Sequence, residues 1–445
     1  MQELSASPAA RIPFEPLICL AIALPLCLAP LAGHVDDVDA QGYLVIARNI
    51  ARTGRWLDPG FLPAVWPHFR EHLPFGFWPA AAAMRLAGEW AVPFLYAAFS
   101  VGAVAASSRL ARAIAGPAAA LAAGVSLALC ESIWHYSARL LLDPPLLLLT
   151  TLSCLAWCQG RRPRAAIWAA LAVLVKGPYG LLPLLAVGGA TLLLDRSARS
   201  ARHLALVCMA ALAPAFAFLV ADRVWGDGSW WRGYLLDQVH ASLAGERRDG
   251  VTGPFYPLRV IAGRFWPGLP FALLGGIMAV RDGKPAERKI ALACLLGLAA
   301  ISLPTRKWGN HMYVLFPLLA VLAGIGAKTL LERWERFLPR AGGAIAVAAL
   351  LFALAGGGRL VLQPPCDFST ALASRLQRVG PRIVLVRGDF LALAELAAES
   401  GLEVWPAETP DTLLPAAVPL SYALPARFVE TARGRAWKLL EPVGR

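Results

Sequence analysis

The chain has 445 residues, of which 58% are hydrophobic and only 16% charged, with a mean hydropathy of +0.56. A soluble domain carries about 25% charged residues, so a soluble enzyme, a disordered chain, a collagen and a disulfide-rich secreted scaffold are excluded, and a polytopic membrane protein remains. The net charge of +13 does not indicate nucleic acid: residues 363–445 hold nine Lys/Arg against nine Asp/Glu, so the excess sits in the apolar part, as the positive-inside rule produces.

Apolar stretches long enough for a bilayer fall at 17–33, 90–108, 117–133, 140–157, 165–180, 181–194, 204–221, 265–280, 290–304, 312–326 and 342–361. This predicts about eleven transmembrane helices in a domain spanning 1–362. Two of them meet at Lys176-Gly177-Pro178, and 74–88 reads as an interfacial or re-entrant piece. A cleaved signal peptide is an alternative for the first span, because Ala29, Ala32 and Gly33 offer small residues. Seven of the eight cysteines lie in apolar runs, without metal-ligand or disulfide spacing.

Five short loops, at 109–112, 161–164, 196–202, 281–289 and 328–340, contain sixteen Lys/Arg. They define the cytoplasmic side, put the N-terminus inside and leave loops 34–89 and 222–264 and the tail outside. Six of the seven histidines then fall on the outer side. The tail, 363–445, has a soluble pattern: a strand at 382–387, a helix at 390–400 and a strand at 402–405 predict a small α/β domain.

The outer segments carry the chemistry. His34 is followed by Asp36, Asp37 and Asp39 within a few residues of the first span. Asp39 fits two roles, the N-cap of a helix over 40–52 or a general base at the membrane surface. Arg70, Glu71 and His72 mix cationic groups with an acid, suiting an anionic head group or ordinary snorkelling. Asp143, in an apolar run before Pro144, is a functional candidate because an ionisable group there is costly; helix capping is its other reading. Lys176 suits either snorkelling or phosphate binding as a point charge. Asp237 and His240 with Glu246, Arg247 and Arg248, and Arg306 and Lys307 with His311 and Tyr313, complete an outward set of acids and fixed cations. Such a face suits transfer from a lipid phosphate to a hydroxyl. A transporter or lipid flippase is the rival class, but it would place charges near the midplane and show internal pseudo-symmetry.

Five segments in order resemble the C-type (GT-C) membrane glycosyltransferases, in the family 39-like branch of aminoarabinose transferases and protein O-mannosyltransferase-like enzymes. They are Asp39 with Tyr43, Arg48 and Asn49; Arg70-Glu71-His72 with Pro74; Arg139 with Asp143 and Pro145; Lys176-Gly177-Pro178; and Lys307 with Tyr313 and Pro317. The resemblance implies a GT-C fold and inverting transfer from a polyprenyl (undecaprenyl) phosphate sugar. The acceptor it implies is lipid A, another envelope glycolipid or a protein, at the periplasmic face of a bacterial inner membrane. It implies catalytic roles for Asp39 as base and for Asp143, with Asp36 as a neighbouring acid. Arg70, Glu71, His72, Lys176, Arg247, Arg248, Lys307 and Tyr313 would hold the donor. His72 departs from the family, which has lysine there. No cofactor is required; a divalent cation bridging phosphate and Asp36 or Asp39 is compatible. Membrane lipids and the acceptor are the expected partners, and nucleic acid is not.

Overall fold

A computed structural model describes residues 37–334 except 63–64 and 245–249, together with Cys19, 23–25 and 27–28 near the N-terminus and 382–386, 396–398, 403–407, 416–419, 428–433 and 437–442 in the tail. Asp36, Arg247, Arg248 and the expected span 342–361 lie outside the described residues, as does most of 17–33.

Helix α1 (Val38–Thr53) follows the first span and crosses loop 34–89. Asp37, not Asp39, is its N-cap: the Asp37 Oδ1 accepts from the Ala40 N–H at 3.0 Å. The helix starts two residues earlier than expected, which leaves Asp39 in its first turn. Gly54 ends it at φ 72, donating its N–H to Ile50, the left-handed cap that glycine adopts without penalty. A 3₁₀ turn at Pro74–Phe77 and α2 (Trp78–Ala87) account for the short apolar stretch at 74–88.

The bundle follows: α3 (Ala91–Ala115), α4 (Pro117–Ala128), α5 (Glu131–Tyr136), α6 (Asp143–Cys158), α7 (Arg162–Lys176), α8 (Leu182–Asp195), α9 (Ala198–Trp225), α10 (Tyr256–Arg264), α11 (Leu269–Arg281), α12 (Pro285–Ser302) and α13 (Phe316–Trp334). Proline repeatedly opens these helices, where its missing N–H would have no intrahelical partner. Among the described residues, four segments are long and apolar enough to cross a membrane: 91–115, 162–195, 198–225 and 309–333. Helices α10 and α11 form a pair bent by 115°. The chain is a multi-pass membrane protein.

Segment 162–195 is folded back on itself. Its start meets the end of α6 through Arg162 Nη1, which donates to the Trp157 carbonyl at 2.7 Å. Its end meets the same place: Trp157 Nε1 donates to Thr191 Oγ1 at 3.4 Å, and Asp195 pairs with Lys289 at 2.7 Å. Lys176, at the turn, is therefore at the other end of the bundle, level with Asp143 at the start of α6. The turn needs its glycines. Gly177 has φ 67, and a Cβ on Gly180 would lie 2.5 Å from the Ala172 carbonyl carbon. Elsewhere Gly275 of α11 and Gly326 of α13 let the two backbones touch, since a Cβ on either would collide with the other helix's carbonyls. Close backbone approach over small residues is how apolar helices gain packing in lipid.

Among its described residues the tail carries five strands, β1 (Arg382–Val386), β2 (Glu403–Ala407), β3 (Ala416–Pro419), β4 (Phe428–Arg433) and β5 (Trp437–Pro442), in sheet order β2-β1-β3-β5-β4. The first two match the strands expected at 382–387 and 402–405. β1 runs parallel to β2 and β3, while β5 is antiparallel to β3 and β4. Leu385, Val404, Ala417 and Leu439 are buried with the helical residues Leu396–Ala398.

Arg48 joins this tail to α1. Its guanidinium donates from Nε and Nη2 to both Glu89 carboxylate oxygens at 2.9 and 2.6 Å, and from Nη1 and Nη2 to the carbonyls of Ala397 and Ala398 at 3.0 and 2.9 Å. Glu89 stands just before α3, so one side chain ties three segments together.

Candidate active site

A cavity of about 200 Å³ opens where α1, α5, α6 and α10 meet segment 304–311. Asp37, Asp39, Asp143, Tyr136, Arg264 and Trp308 are among its lining residues.

Asp39 projects from the first turn of α1 and is accessible from the cavity. The surrounding protein nevertheless shields it from bulk water, and this desolvation raises its pKa to about 6, with the nearby charges of Asp37, Asp143 and Glu71 adding to the effect and Lys176 opposing it. Asp37 is raised as well, chiefly by burial, although the Ala40 N–H and Arg139 favour its ionised form. Asp37 and Asp39 thus make an acidic pair in which an ionised neighbour disfavours ionisation of the other.

Asp143 is 3% exposed at the N-terminus of α6. Lys176 Nζ donates to both its carboxylate oxygens at 2.9 Å. The corner at Gly177 delivers Lys176 to that position, and Tyr234, from a π-helix at Trp231–His240, fills the space beside Gly177. The two residues singled out separately in the sequence are one ion pair.

Arg264, the last residue of α10, was not among the sequence candidates. Its Nη1 donates to the Tyr136 hydroxyl at 2.8 Å and to Ser132 Oγ at 3.4 Å, holding the guanidinium at the cavity wall. Arg139, noted in the sequence beside Asp143 but given no role there, is a second cation, 3% exposed and 3.2 Å from His135 Nε2. Its backbone follows Ala138 at φ 44, an unusual conformation for alanine. Among the described residues, no group of three or more His, Cys, Asp or Glu side chains is arranged to hold a metal ion.

His72 reaches α1: its Nε2 lies 2.9 Å from the hydroxyl of Tyr43, one turn beyond Asp39. Burial, with the adjacent carboxylates, raises the Tyr43 pKa, so the hydroxyl stays protonated. Glu71 acts on the same group through its charge. Arg70 turns elsewhere, donating to Asp58 Oδ1 at 2.7 Å and Ser229 Oγ at 3.1 Å and lying 4.3 Å over the Trp230 ring. Lys307 is 4% exposed and donates to the Pro304 carbonyl at 2.6 Å, while its backbone pairs with Val251; it is not part of the cavity lining. Tyr313 is fully buried, its ring against that of Tyr136 at 5.5 Å between centroids. The structure thus brings together Asp39, Asp143, Lys176, Glu71 and His72, with Tyr313 behind the wall and Arg70 and Lys307 engaged outside the lining.

Solved structures share this architecture. ArnT from Cupriavidus metallidurans bound to undecaprenyl phosphate matches over 95% of this chain and 97% of its own, with a TM-score of 0.75 and 16% identity. The same protein in the apo state matches with a TM-score of 0.73. The archaeal oligosaccharyltransferase AglB from Archaeoglobus fulgidus, in complex with an inhibitory peptide and a dolichol-phosphate, covers 87% of this chain and 64% of its own, with a TM-score of 0.56 and 14% identity. No protein-family model and no curated protein matches the sequence. The fold is the GT-C fold that the sequence resemblance implies.

Proposed function

We propose that this protein is an integral-membrane glycosyltransferase. It moves a sugar from a polyprenyl phosphate, undecaprenyl phosphate in a bacterial inner membrane, to an acceptor at the periplasmic face. The observation that carries this reading is the cavity in which Asp39 stands among acids beside Arg264 and the Asp143–Lys176 pair, in a fold shared with a protein bound to undecaprenyl phosphate.

Asp39 is the general base. With a pKa of about 6 it is mostly ionised at pH 7 yet basic enough to take a proton from an acceptor hydroxyl. The hydroxyl oxygen attacks the anomeric carbon as the bond to the lipid phosphate breaks, so the sugar leaves with inverted configuration. Arg264 receives the phosphate: its second terminal nitrogen is left for the ligand while Tyr136 and Ser132 hold the first. His72 adds a cation only in its protonated form, whereas a lysine there would carry its charge throughout. Lys176 and Asp143 set the cavity floor as a fixed pair and bias the field at Asp39. A polyprenyl phosphate is already a good leaving group, so this reading requires no cofactor; if a divalent cation takes part, Asp39 would be among the residues to hold it and the ion would neutralise charge on the leaving phosphate.

Eleven spans, an inside N-terminus and an outside α/β tail complete the reading, and the sixteen basic residues of the short loops support that orientation. The acceptor is an envelope glycolipid such as lipid A, or a protein. The test compares envelope lipids and proteins from a deletion strain with the parent by mass spectrometry, seeking one lost sugar increment, and repeats this with Asp39→Asn in place of the wild type. Restoration of the increment by Asp39→Asn would remove Asp39 from the chemistry.

A further inference from the structure

Part of the cavity wall takes no part in this acid–base chemistry. It is formed by Tyr256, Trp308, Gly309 and Asn310, and it is built to be stiff. Val251 and Lys307 exchange both backbone hydrogen bonds, at 2.9 and 3.0 Å. Lys307 then turns its ammonium to the Pro304 carbonyl. Gly250, at φ 92, brings its backbone against the Trp308 ring, where a Cβ would lie 3.0 Å from Cε2. The His311 ring packs 5.1 Å from that of Trp308. Two segments far apart in sequence thereby present two aromatic side chains to one space.

Asn310 is the exception in this wall. Its Oδ1 is closed to solvent and has no hydrogen-bond partner among the described residues. An unpaired buried amide oxygen is a cost that a native structure rarely keeps without a reason. Asn310 lines the cavity and the last torsion of its side chain is soft, so a ligand hydroxyl donating to the amide oxygen would supply the missing partner. Aromatic side chains and a few placed polar groups are how a small-molecule pocket fixes its ligand. A sugar ring matches both, with apolar C–H faces and donor hydroxyls at its edge.

We infer that Tyr256, Trp308 and Asn310 form the seat for the sugar ring of the donor and that Asn310 is the specificity-determining contact for one of its hydroxyls. This rests on the glycosyltransferase reading above. Lys307 serves the seat indirectly, as a positioning residue for Trp308.

Binding alone tests it, with the full chain in nanodiscs. The probes are undecaprenyl phosphate and the same lipid carrying glucose, mannose, galactose or 4-amino-4-deoxyarabinose, measured by calorimetry. The wild type should bind one or more of the sugar-bearing lipids about tenfold or more tighter than the bare lipid. Asn310→Ala and Trp308→Ala should each abolish most of that gain while leaving the affinity for bare undecaprenyl phosphate within about twofold; Tyr256→Phe keeps the ring and should keep most of the gain. A gain that survives both alanine variants overturns the seat, as does a wild type that binds the bare lipid but gains nothing from any sugar. A wild type that does not bind bare undecaprenyl phosphate fails earlier, at the glycosyltransferase reading itself.

Discussion

Asp39 and Asp58 lie nineteen residues apart on the same loop and differ in everything but covalent structure. Asp39 stands among three other acids and is driven up to about 6. Asp58 is pushed up by its partial burial, but hydrogen bonds from His68, Arg70 and Arg55 outweigh this and hold it at about 2. The first is accessible, crowded by like charge and ready to accept a proton. The second is spent on shaping the loop, with its charge fully answered. The two carboxylates are therefore set apart by their company, and one that is kept uncomfortable is a better candidate for a site than one that is well paired.

The contrast breaks most sharply at Asp39→Asn. Purified variant protein assayed with a polyprenyl-phosphate sugar should lose about 10²-fold or more in transfer rate. In the wild type the rate should rise with pH through about 6 and level off above it. The stability effect has the opposite sign. A carboxyl whose folded pKa lies above its unfolded value near 3.9 destabilises the fold when ionised. Asp39→Asn should therefore raise the melting temperature above pH 6, with the gap closing as the pH falls toward 4 and Asp39 takes up its proton. A variant that is inactive but no more stable would detach the pKa shift from the role.

Lys176→Ala probes the pair beside it. It strands the Asp143 carboxylate in a buried position and should cost about 3–5 kcal/mol, read as lost accumulation and an earlier denaturation midpoint. Adding Asp143→Asn removes the stranded charge and should recover much of the stability without recovering transfer. No recovery would mean that Lys176 matters by packing alone.

Arg48→Lys keeps the charge but loses the planar fork that serves Glu89 and two carbonyls at once. The expected loss is about 2 kcal/mol, seen as faster proteolysis of residues 363–445 and of α1 together. Cleavage confined to the tail would show that α1 does not depend on it.

Asp58→Asn should be the mildest. Two of its three partners, Arg55 and His68, are half exposed and only Arg70 is largely buried, so the loss should be about 1 kcal/mol, with transfer within about twofold. Because the folded pKa is depressed, the stabilisation is present above about 4 and disappears as the pH falls through about 2. A large loss of transfer would make Asp58 part of the site after all.

Much of the site was legible because the chemistry-bearing residues sit at helix ends, where an apolar run stops and a charge begins. Asp39, Asp143 and Lys176 are of this kind, and the structure gathers them. What could not be read was pairing across the chain. Arg70 was visible as a cation, but its commitment to Asp58 and Ser229 depends on a residue 159 positions away. Arg264 carried only a weak signal, an arginine closing a short helix before an apolar span, and its partners Tyr136 and Ser132 lie 128 and 132 residues back. Position could not say whether Asp37 or Asp39 caps the helix, since either spacing serves; the hydrogen bond from Ala40 gives the cap to Asp37. Of the tail's five strands, the two apolar runs were recognisable, whereas β3 holds only four residues ending in Pro419, too short for alternation to show.

The clasp at Arg48 also sets a clock. The carbonyls it grips are 349 and 350 positions downstream. At about 5–20 residues per second of synthesis, some 20–70 s separate the arginine from its partners. Early in that interval the helix bearing Asp39 gains α2 and the carboxylate of Glu89, but its last two bonds wait to the end of it. The helix is thus finished by a segment made about 350 residues later, so a chain released before that point carries it without the contact that completes it.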